Sequence, residues 1–215
     1  LIAILARLKN DKEKAAEAIQ SILQIDALSH FARFENYLLA PTAENRAAFS
    51  SLIRNEFPDQ TCLELGLSYS HQGLESEAIQ VLEMSPANPI IDYWLAFLYK
   101  DRSPAESDRR LDSALAASPN LVFPYRIETL PVLRWALSRN ENWKTAYYLG
   151  LVLWNTGRKS EAEELFERLA DRPNWSPFYL ARAKMFGVRK DGSSRLKDIQ
   201  KAIEIDQANW RAWRA

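Results

Sequence analysis

Few residues in this 215-residue chain are of types that do chemistry, and their spacing works against it. The two histidines, His30 and His71, would offer acid–base catalysis or metal ligation near neutral pH. They stand far apart, and neither has Asp, Glu or Cys beside it at ligand spacing. His71, near a helix end, reads as a solvated or capping residue. The single cysteine, Cys62, would offer a nucleophilic thiolate. It lies three residues before Leu65 on an apolar helix face, where a small buried filler is expected. One cysteine also allows no intrachain disulfide. Glu161, Glu163 and Glu164 would offer paired carboxylates, but a place in the first turn of a helix already accounts for them through the helix dipole. No G-x-x-x-x-G-K loop and no glycine-rich strand-to-helix turn is present. The expectation is no catalytic residue, no cofactor and no metal: this segment is not expected to be an enzyme.

The remaining chemistry is aromatic. Three aromatic doublets, Tyr93-Trp94, Tyr147-Tyr148 and Phe178-Tyr179, each stand directly before a leucine followed by a small residue. At helical spacing Tyr147, Leu151 and Trp154 share one face, apart from the face of Ala146, Leu149 and Leu153. Tyr93 with Phe97, and Phe178 with Met185, repeat the arrangement. Large amphipathic rings dominate binding hot spots because they lose little entropy on contact. Such a face suits an apolar or proline-containing peptide, a helix or a stacked sugar. The same spacing is also that of aromatics filling a tightly coiled interior, and both readings stay open on spacing alone.

The elements that must position these rings are short helices. Residues 142–173 read as two helices about a tight turn at Gly157. Gly150 and Ala162 are small where two helices nearly touch, since larger side chains would push the axes beyond the usual ~8–10 Å. Ser160 with Glu163 has the spacing of a capping box. The same marks recur over 59–86 (Leu65, Gly66, Tyr69, Gly73, Ala78, Leu82) and 89–119 (Leu95, Ala96, Tyr99, Leu111, Ala114). In the latter copy Ser103 to Glu106 forms a capping box with proline at the first helical position. Further helices are expected over 1–9, 11–26, 29–40, 43–56, 128–139, 176–186 and 194–205, with one starting near Trp210, about 14 in all. Residues 120–127 are held open by Pro124, and 188–193 form a polar loop.

The pattern Leu149-Gly150, Leu153, Gly157, Ala162, Phe166 and Pro173 resembles the tetratricopeptide repeat family. The resemblance is strong over 59–119 and 142–173 and weak over 28–57 and 120–139. It implies an all-α fold: a right-handed superhelix, or α-solenoid, of antiparallel helix pairs. A single domain over 1–215 is expected, with degenerate repeats at 28–57 and 120–139 and truncation at both ends. Packing between helices is expected of Leu65, Gly66, Ala78, Leu95, Ala96, Ala114, Leu149, Gly150, Ala162 and Phe166. First helices of such arrays line the concave surface, so the resemblance implies a groove formed by Tyr93, Trp94, Phe97, Tyr147, Tyr148, Leu151, Trp154, Phe178 and Tyr179. The family's clamp for a C-terminal carboxylate, built of Lys, Asn and Arg, is missing: the inward positions hold Leu63, Glu64 and the tyrosine and tryptophan doublets.

Composition bounds the rest. Lys plus Arg and Asp plus Glu both number 28, giving no net charge. With no basic stripe in view, nucleic acid is not expected as a partner. Hydrophobic residues make up 47%, enough for a substantial core. No apolar run approaches the roughly 18–20 residues that span a bilayer, and no signal peptide is visible, so a cytoplasmic location is expected. The function expected is a scaffold binding a protein or peptide in the aromatic groove. Two alternatives are an ancillary arm of a larger bacterial carbohydrate-processing enzyme, suggested by Phe123-Pro124-Tyr125-Arg126, and self-association as a homo-oligomer.

Overall fold

A computed structural model describes residues 1–54 and 57–215. Fourteen α-helices and no strand occur among them. The chain gathers into two compact units, Leu1–Ser107 and Asp108–Ala215, where the sequence suggested one domain over 1–215.

The first unit holds α1 (Ile2–Leu8), α2 (Lys12–Ile25), α3 (His30–Leu39), α4 (Ala43–Ser50), α5 (Pro58–His71), α6 (Glu75–Glu83) and α7 (Pro89–Tyr99). The unit boundary falls inside α8 (Pro104–Ala116). The second unit continues with α9 (Thr129–Arg139), α10 (Trp143–Asn155), α11 (Lys159–Leu169), α12 (Ser176–Val188), α13 (Gly192–Ile205) and α14 (Trp210–Arg214). Within each unit, helices adjacent in sequence pack against each other, as in α1 with α2, α5 with α6, α10 with α11 and α12 with α13. The helix expected over 43–56 ends at Ser50, and its last positions, 55 and 56, lie outside the described residues.

Local sequence explains the starts. Asp11, Ser29, Thr42, Asn88, Asn142, Asp191 and Asn209 each accept a hydrogen bond from a backbone N–H in the first turn that follows. Pro58, Pro89 and Pro104 open their helices, where the missing N–H costs nothing. The Ser160–Glu163 capping box does not form. α11 begins at Lys159, two positions too early, and Arg158 in the cap position instead binds Glu161 through Nη2 at 2.7 Å.

Four hairpins share one turn. At Asn10, Gly73, Gly157 and Lys190 the backbone enters the left-handed region, with φ of 58°, 74°, 82° and 60°. The next residue then returns its N–H to a carbonyl five positions back: Asp11 to Ala6, Leu74 to Tyr69, Arg158 to Leu153 and Asp191 to Phe186, at 2.9–3.0 Å. This satisfies carbonyls left unpaired at the helix end and reverses the chain at a fixed angle. Between α12 and α13 the turn is tighter than the polar loop expected over 188–193, because α12 runs on to Val188 and α13 starts at Gly192.

Small residues then set the closeness of each pair. A Cβ at Gly150 would fall 2.7 Å from Cδ2 of Phe166, and one at Gly66 would fall 2.9 Å from the Leu82 side chain. Ala78, Ala96, Ala114 and Ala162 are buried, as are Leu65, Leu95, Leu149 and Phe166. In the first unit the core centres on Phe34, which meets Phe49 at 5.3 Å and Tyr69 edge-on at 5.4 Å. Beside it the fully buried Glu35 accepts from the Tyr69 hydroxyl at 2.7 Å and from Arg7 Nε at 2.9 Å. Arg7 Nη1 also donates to Glu77 at 3.0 Å. Burial opposes the Arg7 charge, but the two carboxylates outweigh it and hold the guanidinium pKa above its ordinary value.

Candidate functional site

The residues whose types suggested chemistry stay apart in the fold. His71 is exposed at the end of α5, and His30 opens α3 with its Nδ1 buried and unbonded. Among the described residues, no group of three His, Cys, Asp or Glu side chains comes together as metal ligands do. Cys62 is buried in α5, and burial pushes its thiol up to about 11, against a hydrogen bond with Ser85 that lowers it. At neutral pH it is a protonated packing residue.

The aromatic groove requires correction. Tyr93, Trp94, Tyr147, Tyr148, Phe178 and Tyr179 are all at most 5% exposed. Tyr147 and Phe178 are core because α11 and α12 cover the face that spacing assigned to a ligand. Tyr147 meets Phe166 of α11 at 5.7 Å, Trp175 edge-on at 5.2 Å and Phe178 of α12 at 6.0 Å. Phe178 stacks on Phe166 at 5.3 Å with their planes 6° apart. Burial accordingly pushes the Tyr147 hydroxyl above its ordinary pKa. Only Phe97, Leu151 and Trp154 of the nine groove residues keep partial exposure. Cations partly cover two of these, with Lys100 Nζ 4.2 Å from the Phe97 ring and Lys159 Nζ 5.5 Å from that of Trp154.

An open concavity lies elsewhere, in the second unit between α12, α13 and α14, with a volume of about 510 Å³. That is within the usual range of ligand pockets, about 300–1,000 Å³. α12 contributes Leu180, Ala183, Lys184, Gly187 and Val188, positions i, i+3, i+4, i+7 and i+8 of one helical face. α13 adds Arg195 and Ile199 one turn apart, and Arg211 and Ala215 close the far side at the same spacing. The floor is aliphatic and the rim cationic: Lys184, Arg195 and Arg211, with no carboxylate among the lining side chains.

Two local features hold the rim in place. Gly187 has no Cβ, and an added one would lie 3.5 Å from Cδ of Arg195, so the arginine stem lies across the glycine. Arg195 Nη2 donates to the Ala215 carbonyl oxygen at 2.6 Å. Beneath the site, Arg182 is buried and paired with Asp198 through Nε and Nη2, both at 2.8 Å, which ties α12 to α13. It also donates to the carbonyls of Phe166 and Ala170 and to the Asp171 carboxylate. A second concavity, about 290 Å³, is lined by residues of α9, α10 and α11. There Arg134 is already bound to Glu161 at 2.9 Å, so its charges neutralise one another.

The chemistry the larger cavity can perform is recognition. Its lining side chains are aliphatic or cationic. Overall charge balance hid this in the sequence. Residues 176–215 carry nine Lys or Arg against four Asp or Glu, while the whole chain has 28 of each. A windowed charge count would have found the excess, although not the cavity.

The fold is all-α, built of helices that pack in pairs with their neighbours in sequence. No protein-family model and no curated protein matches the chain. Solved structures similar to it include MamA (18% identity, TM-score 0.38, covering 98% of each chain). Another is YrrB, a TPR protein with an unusual peptide-binding site (16% identity, TM-score 0.39, 99% of this chain and 87% of that one). A third is a tetratricopeptide repeat protein from Parabacteroides merdae ATCC 43184 (11% identity, TM-score 0.37, 99% and 93%). No helix among the described residues is long and apolar enough to cross a membrane.

Proposed function

We propose that the chain is a protein-interaction scaffold whose second unit takes up a segment of a partner protein along α12 and α13. The observation that supports this is the wall formed by α12 and α13, where Leu180, Val188 and Ile199 stand beside Lys184 and Arg195. No reacting group lines it, and the reading is accordingly one of binding without catalysis.

The test maps the site on the isotopically labelled 215-residue chain, titrated with a panel of end-blocked hexapeptides spanning acidic, basic and neutral apolar compositions. Some members are expected to shift the backbone amides of Val188 and Ile199 in a saturable way. Ile199→Trp, which fills the cavity, is expected to remove those shifts with the helical circular dichroism unchanged. If no composition shifts these amides, the proposed function is wrong.

A further inference from the structure

We propose that the joint between α11 and α12 is a latched two-state element. Arg182 holds it in a strained conformation, and release lets Ala170 relax and Asp171 swing to the Tyr179 hydroxyl. The device is independent of the binding wall proposed above. Three observations on different residues meet at this joint.

The first is backbone. Residues 169–172 form a tight turn, closed by the Arg172 N–H on the Leu169 carbonyl at 3.1 Å. Ala170, second in the turn, has φ 48° and ψ −121°. Those angles belong to a type II′ turn, at the position that glycine fills because a Cβ is crowded there. An alanine in that conformation is strained, and it persists only where its surroundings hold it.

The second is an unmet polar group. The Tyr179 hydroxyl on α12 is buried and has no hydrogen-bond partner among the described residues. Burial and then the Asp171 charge push it above its ordinary pKa, against Arg182 and Lys201. What a buried phenol in this position lacks is an acceptor. Asp198 is already occupied, since both its oxygens accept from Arg182 at 2.8 Å. Asp171 is more available: its side chain is 58% exposed and meets Arg182 at 3.4 Å. It also follows directly on Ala170, so rotation there moves its carboxylate first.

The third is the latch. Arg182 Nη1 donates to the Ala170 carbonyl at 2.5 Å and to that of Phe166 at 3.4 Å. Asp198 of α13 fixes the other side of the same guanidinium. The fork is planar and rigid, so one side chain ties the end of α11, the turn and α13 together. The relaxed state regains the strain at Ala170 and a hydrogen bond at Tyr179, and gives up part of the Arg182 network. Opposing terms of this kind place a minor conformation within reach of the major one. The change is confined to the turn, because the stack of Phe166 on Phe178 keeps α11 against α12.

The experiment is amide relaxation dispersion on the isotopically labelled chain of 215 residues. Exchange is expected at Asp171, Arg172 and Tyr179, and not in the interior of α10. Ala170→Gly removes the strain, so the minor population is expected to fall roughly fivefold or more. Tyr179→Phe removes the group that the second state satisfies and is expected to lower it as well. Arg182→Lys keeps the charge without the fork and is expected to raise it. That variant leaves Asp198 poorly paired, so Arg182→Leu with Asp198→Leu is its companion, burying no charge and expected to make the relaxed state the major one.

A merely structural clasp would alter stability and leave these amides without exchange. Flat profiles in both the parent and the two Arg182 variants therefore overturn the inference. So does exchange that Ala170→Gly leaves unchanged, or a minor population that Tyr179→Phe fails to lower.

Discussion

Gly150 and Phe166 show how much one atom decides here. With the ring of Phe166 against the glycine backbone, Gly150→Ala forces either the ring or α11 to move. Overpacking of this kind costs ~1–3 kcal/mol. Urea unfolding should register that loss, and the double variant with Phe166→Leu should recover part of it. Glu35 is the other residue whose neighbours are unforgiving. Its removal leaves Arg7 without its main buried partner and the Tyr69 hydroxyl without an acceptor. Breaking a buried pair from one side costs ~3–5 kcal/mol, so Glu35→Ala should lower the urea midpoint more than any surface change.

Cys62 gives a pH-dependent test at the same scale. Its thiol is raised from 9.0 to about 11 by burial, so the folded state holds the proton more tightly than the unfolded one. The contribution is therefore complete below pH 9 and is lost as pH rises toward 11. Comparing Cys62→Ala with the parent across that window should show a shallower decline for the variant. An identical slope would mean the thiol is not shielded.

At the scale of elements, the repeated turn is the feature to probe. Gly73 and Gly157 occupy left-handed backbone at no steric cost, whereas Asn10 and Lys190 hold the same conformation with a side chain. Lys190→Gly should stabilise the α12–α13 hairpin by ~1 kcal/mol, and Gly157→Ala should destabilise α10–α11 by a similar amount. Thermal unfolding of the two variants should move in opposite directions. The 120–127 segment behaves differently. Its Asn120 accepts from Trp175 Nε1 at 3.1 Å and its Tyr125 carbonyl accepts from Asn155 at 3.3 Å. Val122 and Pro124 turn inward while Leu121, Phe123, Tyr125 and Ile127 are 84%, 66%, 48% and 57% exposed. Phe123→Ser with Tyr125→Ser should therefore change stability by no more than ~0.5 kcal/mol per site.

For the molecule as a whole, stability is expected to be uneven along the chain. α5 buries six of its 14 residues and α7 and α10 bury most of theirs, whereas α4 buries only Phe49 and α14 only Ala212. Native-state hydrogen exchange should find the slowest amides in the first three and fraying in the last two, because local opening tracks buried contact. Uniform protection would contradict a fold in which each hairpin leans mainly on its neighbours.

Helix positions and the small residues at crossings were legible in the sequence because both are local. A 3.6-residue period marks an apolar face wherever it lies, and Gly66, Gly150 and Ala162 are small for reasons confined to one hairpin. The left-handed turns at Asn10 and Lys190 were not legible, since neither residue type demands that conformation. The aromatic doublets were recognised as apolar faces but assigned to the wrong side of the wall. Periodicity says that Tyr147 and Phe178 face something, and only the neighbouring layer says whether it is solvent or protein. The cation-rimmed cavity escaped for the same reason: Leu180, Arg195 and Arg211 belong to three helices whose convergence no linear spacing encodes. The sequence alone determined which segments are helical and how closely paired helices approach. Tertiary structure alone decided which apolar faces stay open, because covering a face takes residues distant along the chain.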